Sequence, residues 1–244
     1  MIRKFMAYLP APVRKSLRVQ QRFFSDLLQG QQRHLVPASG KHADYQPQRV
    51  LEQRVTKVAT LEAKLHNMRK AIALLHGLEL PVGGVLSFWH VVGNPGARQG
   101  FLPGRNIVNG QLVEDFGGGL CQLSSAMYEL ALRSGLEVRE RFAHSTNVYT
   151  PETTYTLLGL DATLAYGYKD LRLRNNFSFP LTFAFELSQD RLQVSLCAPE
   201  PLPGLTLRVE HQTTDDGLHA SVFRLENGSE MLLSKDFYKA WKAE

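Results

Sequence analysis

The segment Gly117-Gly118-Gly119-Leu120-Cys121-Gln122 marks the change from a hairpin pattern to a helix pattern. A helix is predicted over residues 120–133 because apolar side chains recur there at helical spacing: Leu123, Ala126, Met127, Leu130 and Ala131. Gly135 suits the end of that helix, since glycine readily adopts the left-handed conformation found there. A strand is predicted over 136–143, followed by His144. An antiparallel return strand of this length brings His144 back beside the helix start.

The glycines and the helix start make Cys121 a candidate nucleophile. Gly117, Gly118 and Gly119 carry no side chains, so the backbone can turn sharply there and approach a ligand closely. Cys121 falls in the first turn of the predicted helix, where unpaired N–H groups and the positive end of the helix dipole favour an anion. This position lowers the pKa of a thiol, and the same N–H groups suit an oxyanion.

A thiol nucleophile needs a base, and His144 is the candidate among the eight histidines. It lies one predicted helix and one predicted strand downstream of Cys121. Asp161, in Leu160-Asp161-Ala162-Thr163, opens a further predicted strand and is the candidate that orients the imidazole. The sequence therefore predicts a cysteine, histidine and aspartate site in that chain order.

Each of these residues also has a structural interpretation. Cys121 could be a small buried side chain, His144 could bond a turn, and Asp161 could cap a loop. A zinc site is a further alternative, but structural zinc favours four ligands from closely spaced pairs, and the sequence has no C-x-x-C or H-x-x-x-H pair. We therefore predict no metal and no cofactor. Cys197 stands in an apolar strand and is predicted to lie in the core.

The second part of the chain has the pattern of a mainly antiparallel sheet. Runs rich in β-branched and aromatic residues predict strands or hairpins at 85–92, 106–113, 136–143, 161–166, 171–174, 181–187, 192–196, 205–209, 222–225 and 231–233. Asn109-Gly110 and Asn227-Gly228 are strong hairpin turns. We predict an α+β domain over 81–235, an antiparallel sheet with packed helices, followed by a C-terminal tail over 236–244.

Residues 1–80 are predicted to form a helical N-terminal region. An amphipathic helix is expected over 13–28; packing on the main domain is favoured, and binding to a membrane surface is the alternative. Residues 30–46 have the composition of a linker. A long helix is predicted over 47–76, with an apolar stripe that packs within the chain or forms a dimer seam.

Composition narrows the class of protein. The 244 residues are 43% hydrophobic and 21% charged, which suits a globular domain with an appendage and argues against disorder. The formal net charge of +5 is concentrated in residues 1–30, where peripheral membrane contact is the alternative to a solvated helix face. We expect no nucleic acid partner. Two cysteines exclude a disulfide scaffold. The basic start Met1-Ile2-Arg3-Lys4 has no signal-peptide apolar run after it, so we predict a cytoplasmic protein, with the inner membrane face as the alternative.

Several motifs together resemble the VanW family. In order and spacing they are Gly117-Gly118-Gly119-Leu120-Cys121-Gln122-Leu123-Ser124-Ser125, Arg141, His144-Ser145, Asp161-Ala162-Thr163, Asp170-Leu171 and Asn175-Asn176, preceded by Leu86-Ser87-Phe88 and Val92-Gly93. The resemblance covers roughly residues 82–200. One departure is the segment 152–160, where a more glycine-rich loop is expected. The family implies a link to glycopeptide resistance and cell-wall metabolism, without an established reaction.

The resemblance adds candidate substrate-binding residues to the three glycines. They lie in or beside the matching motifs: Gln122, Ser124, Arg141, Ser145 and Asn175. For Asn175, a turn between strands is the favoured alternative. The order of Cys121, His144 and Asp161 is also similar to the core of transglutaminase-like and papain-like cysteine enzymes, although the tryptophan often found after the histidine is absent.

Two hypotheses follow from the sequence. The first is a cysteine-dependent acyl-transfer or amide-hydrolysing enzyme, in which Cys121 is the nucleophile, His144 the acid and base, and Asp161 the orienting group. Its substrate would be a peptide of the cell-wall-precursor type, by family association. The second is a non-catalytic binding or accessory module at the membrane face. Catalysis requires Cys121 to be accessible and within hydrogen-bond reach of His144.

Overall fold

The computed structural model describes residues 9–56, 59–108, 111–146, 154–226 and 228–240. Its helices and strands confirm the α+β class. In chain order the elements are α1 (Ala11–Leu28), β1 (Pro47–Arg54), α2 (Leu61–Leu75), β2 (Val85–Ser87), α3 (Phe88–Val92), β3 (Pro103–Val108), β4 (Gln111–Phe116), α4 (Leu120–Ser134), β5 (Glu137–Glu140), β6 (Arg172–Arg174), β7 (Thr182–Leu187), β8 (Arg191–Cys197), β9 (Thr206–Thr214), β10 (Gly217–Glu226) and β11 (Ser229–Lys239).

The strands form antiparallel sheets, as the sequence predicts. The described sheets have the orders β1-β8-β7, β2-β6-β5 and β9-β10-β11, and β3 pairs with β4 in a separate hairpin. The predicted hairpins β3–β4, β7–β8 and β10–β11 are confirmed. The predicted turn residues Asn109, Gly110 and Asn227 lie outside the described residues, as do the loop around Pro151 and the basic start at residues 1–8.

Helix α4 forms the centre of the core. It begins at Leu120 and ends at Ser134, and Gly135 follows in the left-handed conformation with φ 74°, as predicted. Its apolar residues are buried against α2, β1, β5 and β8. The facing stripe on α2 is also fully buried: Leu65, Met68, Ala71 and Leu75. Each such Leu or Met side chain contributes about 1.5–3 kcal/mol by leaving water, so this packing holds the start of α4 in place.

The predicted long helix over 47–76 is wrong in its first half. Residues 47–54 form strand β1, which pairs along β8 from Pro47↔Cys197 to Arg54↔Arg191. The backbone hydrogen bonds of this ladder and burial against α4 override an apolar spacing that fits a helix. The helix starts at Leu61 and turns its stripe into the core, which is the packing within the chain that the sequence favoured; the alternative of a dimer through 47–76 stays a prediction. The N-terminal region is therefore not all helical.

Other boundaries also differ from the predictions. The predicted strand over 85–92 is β2 followed by α3, because the Ser87 side chain caps the short helix by accepting from the His90 N–H at 3.1 Å. The predicted strand over 161–166 is irregular. Strand β11 continues to Lys239, so the predicted C-terminal tail begins inside a strand.

Candidate catalytic site around Cys121

The glycines before α4 have backbone conformations that other residues rarely adopt. Gly117 has φ 85° and Gly119 has φ 97°. A Cβ on Gly119 would also lie 2.7 Å from Cγ of Lys64. Glycine is therefore required here by both backbone angle and space, and it lets the chain enter α4 so that Cys121 lies in the first turn. Cys121 as a whole residue is partly exposed.

Cys121 and His144 interact directly. Burial opposes ionisation of the thiol, but a hydrogen bond and charge interaction with His144 outweigh it, with smaller contributions from Leu164 N–H and Thr163, so the pKa of Cys121 lies below its ordinary value. Burial also opposes protonation of the imidazole, but hydrogen bonds and charge interactions with Asp161 and Cys121 raise the pKa of His144 to about 9. The two shifts favour a thiolate facing an imidazolium.

Asp161 holds His144 from the other side. The Nδ1 atom of His144 lies 2.6 Å from Oδ2 of Asp161, and the backbone N–H of His144 donates to the same oxygen at 2.8 Å. Burial disfavours the carboxylate, but these hydrogen bonds, the charge of His144 and that of Arg141 hold the pKa of Asp161 well below its usual range. An ionised Asp161 makes Nδ1 the donor, which leaves Nε2 of the ring for the thiol.

The second oxygen of Asp161 has its own set of donors. Oδ1 accepts from the Tyr238 hydroxyl, from Arg141 Nη2 at 3.1 Å and from Gly159 N–H at 3.3 Å. Arg141 also donates to the Asp161 carbonyl at 2.7 Å and pairs with Asp236. Because both carboxylate oxygens are occupied, the plane of the Asp161 carboxylate is fixed, and with it the orientation of His144.

The irregular segment after Asp161 is fastened to α4 by two serines. Ser125 Oγ accepts from the Ala162 N–H at 2.9 Å, and Ser124 Oγ donates to the Ala162 carbonyl at 2.6 Å. Next along the chain, Oγ1 of Thr163 lies 3.9 Å from Sγ of Cys121. Together with the Thr163 N–H, which donates to the Phe142 carbonyl at 2.8 Å, these side chains of α4 hold the irregular segment and set the distance between Asp161 and Cys121.

Backbone donors remain at the start of α4. The Leu120 N–H donates to the Gly117 carbonyl at 3.2 Å, and the Gln122 N–H donates to the Gly119 carbonyl at 3.0 Å. Within the described part of the chain, the Cys121 N–H has no acceptor. An N–H group beside the sulfur, at the positive end of a helix, is suited to an oxyanion formed on a thiol-bound carbonyl.

The structure separates the predicted substrate-binding residues into three groups. The glycine loop of 117–119 adjoins Cys121, and Ser145 is exposed directly after His144. Gln122 and Ser124 are buried next to Cys121. The Gln122 amide donates to the Arg54 carbonyl at 2.9 Å, and its oxygen has no partner among the described residues.

Arg141 and Asn175 have other partners. The Arg141 side chain is 6% exposed and lies behind Asp161, across from the sulfur. The Asn175 amide donates to the carbonyls of Leu80 and Phe179 and accepts from the Phe177 N–H, in the turn that the sequence favours. The contacts of Arg141 and Asn175 are therefore structural ones, made to other residues of the protein.

Tyr238 and Thr163 complete the site without having been predicted as site residues. Thr163 lies two residues after Asp161 in the same motif, so the sequence could have predicted it as a site residue. Tyr238 has no such signal, because it lies in the last strand, far along the chain from the other members. Among the described residues, no cluster of three or more His, Cys, Asp or Glu side chains is arranged to hold a metal ion. No described helix is long and apolar enough to cross a membrane.

Comparison with known proteins places this site in a family. The family model described as VanW like protein matches residues 63–197, which is more than half of the chain and includes Cys121, His144 and Asp161. The chain is 30% identical over 115 residues to the vancomycin B-type resistance protein VanW of Enterococcus faecalis, covering 47% of the chain and 42% of that protein. It is 31% identical over 121 residues to the uncharacterized protein YoaR of Bacillus subtilis, covering 49% of the chain and 38% of that protein.

The matched part is thus less than half the length of these relatives. No solved structure matches the chain. The similarity to transglutaminase-like and papain-like cores therefore stays a prediction.

Proposed function

Because the chain belongs to the VanW-like family, we propose a chemistry for the motifs by which it resembles that family. Cys121, His144 and Asp161 form the site of a cysteine-dependent acyl-transfer or amide-hydrolysing enzyme. The observation that carries the proposal is the position of His144. One side of its imidazole interacts with the Cys121 sulfur, and the other lies 2.6 Å from an ionised Asp161. This is the arrangement of nucleophile, base and orienting group that covalent catalysis requires.

The proposed reaction starts from the thiolate of Cys121. The sulfur attacks the carbonyl carbon of an amide or ester, and the carbonyl electron pair moves to oxygen, beside the Cys121 N–H. When that pair returns, the bond to the leaving group breaks, and the leaving nitrogen or oxygen takes the proton from Nε2 of His144. Water or an amine then attacks the thioester, gives its proton to His144 and releases the thiolate. Asp161 keeps Nδ1 protonated throughout.

The substrate class comes from the relatives. One of them is named for resistance to vancomycin, and the chain shares with it a stretch that covers less than half of either protein. On that association we propose a peptide of the cell-wall-precursor type as the acyl donor. The glycine loop beside Cys121 suits an extended peptide, because a backbone without side chains lets the substrate approach closely.

Trapping the thioester tests this proposal. The full chain is incubated with p-nitrophenyl acetate and with a short peptide p-nitrophenyl ester, and the acyl adduct is measured by intact mass. We expect an adduct on Cys121 in the wild type and in Cys197→Ala, the matched control that removes the other cysteine. Cys121→Ala should give none. His144→Ala should form it at least tenfold more slowly, since general base catalysis contributes roughly 10²–10⁴-fold.

One result would favour a binding module without catalysis. In that result, small alkylating reagents modify Cys121 readily, but neither ester acylates it. The alkylation rate would also be the same in the wild type and in His144→Ala. In that case the site would hold a ligand through the glycine loop without a covalent step.

A further inference from the structure

Helix α1 packs on the rest of the chain through its charged face. Two ion pairs fix it there. The two terminal nitrogens of the Arg22 guanidinium donate to the Glu140 carboxylate, at 2.9 and 2.6 Å. The two terminal nitrogens of Arg172 donate to the buried carboxylate of Asp26, at 2.8 and 2.6 Å. Paired contacts of this kind fix direction as well as distance, so they set the rotation of α1 about its own axis.

The same face also contacts the turn at residues 166–168, which follows the segment that holds Asp161 and Thr163. Lys15 Nζ lies 5.2 Å from the centre of the Tyr166 ring, and the Arg18 guanidinium lies 5.9 Å from that of Tyr168. Between these tyrosines, Gly167 lies so close to α1 that a Cβ there would be 3.0 Å from a methyl group of Val19. The cationic face of the helix is therefore the docked face.

The opposite face of α1 is apolar and exposed to solvent. The large side chains on it are between 41% and 87% exposed: Val13, Leu17, Phe23, Phe24, Leu27 and Leu28. An amphipathic helix on a globular protein normally turns its apolar stripe inward. Here the stripe faces outward, and exposed apolar patches of this kind mark an interaction surface.

The charges around this stripe indicate what covers it. The one acidic residue of α1, Asp26, is buried against Arg172. Lys15 and Arg18 lie against tyrosine rings on the docked face, whereas Arg14, next to Val13 of the stripe, forms no ion pair within the described residues. An apolar stripe beside Arg14, on a helix whose one acidic side chain is neutralised by an ion pair, complements a bilayer with anionic headgroups. A second copy of the chain would instead bring like charges together. We propose that α1 docks the protein on an anionic lipid surface, with its apolar face inserted.

This docking would hold the site near the bilayer, although the proposal does not depend on the chemistry at Cys121. Thr163 contacts the Cys121 sulfur, and Gly167, only four residues later, packs on α1. Four residues span at most roughly 14 Å of extended chain. Cys121 and helix α1 are therefore close neighbours.

Vesicle sedimentation with the full chain tests the proposal. The vesicles are phosphatidylglycerol mixed with phosphatidylcholine, or phosphatidylcholine alone. We expect the wild type to sediment with the anionic vesicles and more weakly with the neutral ones. Phe24→Ser with Leu28→Ser should weaken the partition coefficient at least tenfold. The matched control is Met231→Ser with Leu232→Ser on β11, where the side chains are also exposed, and it should change binding less than twofold.

An equal rate of Cys121 alkylation in all three proteins would verify that the two variants are folded. Failure of the wild type to sediment with anionic vesicles overturns the proposal, and so does an equal loss in the β11 control. Size-exclusion chromatography tests whether a second copy of the chain covers α1 instead. That would be shown by a wild-type dimer that does not bind vesicles and that dissociates in Phe24→Ser with Leu28→Ser.

Discussion

The hydroxyl of Tyr238 donates a hydrogen bond to Oδ1 of Asp161, on the carboxylate whose other oxygen accepts from His144. The same hydroxyl accepts from the Gly159 N–H at 2.7 Å. Tyr238 is 1% exposed and lies near the end of β11. The C-terminal sheet therefore takes part in the candidate site, although it lies beyond residues 63–197, which the family model matches. Tyr238 acts on the chemistry through Asp161, as a positioning residue.

Replacing Tyr238 by phenylalanine should destabilise the protein and loosen Asp161. The change removes one of the two acceptors of the Gly159 N–H and one of the three donors to Oδ1 of Asp161 in a buried place, which costs about 1–3 kcal/mol. Urea unfolding measures the loss. Tyr168→Phe is the control, because that ring is 46% exposed, and it should stay within about 0.5 kcal/mol of the wild type. Equal stabilities of the two variants would contradict a structural role for the Tyr238 hydroxyl.

The alkylation rate of Cys121 should rise with pH through a midpoint below the free-thiol value of about 8.5. The reason is the lowered pKa of the thiol, which depends on His144. His144→Ala should move the midpoint upward. The measurement uses iodoacetamide in a Cys197→Ala background, so that one thiol is followed. A midpoint that does not respond to His144 would rule out the Cys–His pair.

Acyl transfer should have a second, alkaline limb. Leaving-group departure needs a protonated His144, and its pKa is raised to about 9. Activity should therefore rise as Cys121 ionises and fall as the pH passes about 9. Alkylation needs only the thiolate, so it should show no alkaline fall. Comparing the two profiles on the same protein checks this, and parallel profiles would contradict the role of His144 as proton donor.

Asp161→Asn should separate catalysis from folding. The amide cannot stabilise the imidazolium, so acyl transfer should fall on the order of 10³-fold. Because folding depresses the pKa of Asp161, its carboxylate contributes stability that is present above about pH 4 and is lost as the pH falls further. The free energy of unfolding of the wild type should thus drop more steeply between pH 5 and 3 than that of Asp161→Asn, as measured by urea unfolding at several pH values. An equal pH dependence of the unfolding free energy in the two proteins would contradict a lowered pKa of Asp161.

Gly119→Ala should cost more than the same change at Gly30. Both glycines have left-handed backbone angles, with φ 97° and 68°, so both substitutions strain the backbone by roughly 1–2 kcal/mol. At Gly30 an added Cβ meets nothing within 4 Å, whereas at Gly119 it lies 2.7 Å from Lys64. Overpacking adds about 1–3 kcal/mol at Gly119, and the shift should also change the Cys121 alkylation rate. Equal costs in thermal unfolding would contradict the close approach.

Local sequence patterns predicted the elements whose signals lie within one segment. The helix from Leu120 to Ser134 has its apolar period and its terminal Gly135 in one stretch. Each hairpin likewise has its turn and its two apolar runs in one stretch. The candidates Cys121, His144 and Asp161 could be chosen because a helix and a return strand, with known rise per residue, bring their ends together. Side-chain types and short-range geometry were sufficient for these.

Contacts between distant segments decided the rest. Residues 47–54 have an apolar spacing that fits a helix, yet they form a strand because β8 offers a free edge. Residues 161–166 were predicted as a strand, but the segment is irregular and is held at Ala162 by Ser124 and Ser125.

The sequence by itself identified the candidate nucleophile and its candidate base and determined the helix that begins beside Cys121, since those depend on neighbours along the chain. Tertiary structure alone decided that Tyr238 and Arg141 fix Asp161, and that α1 turns its apolar face outward. The physical reason is the same in each case: burial and ion pairing between residues far apart in sequence outweigh local propensity, and no local pattern records which distant partner a side chain will meet.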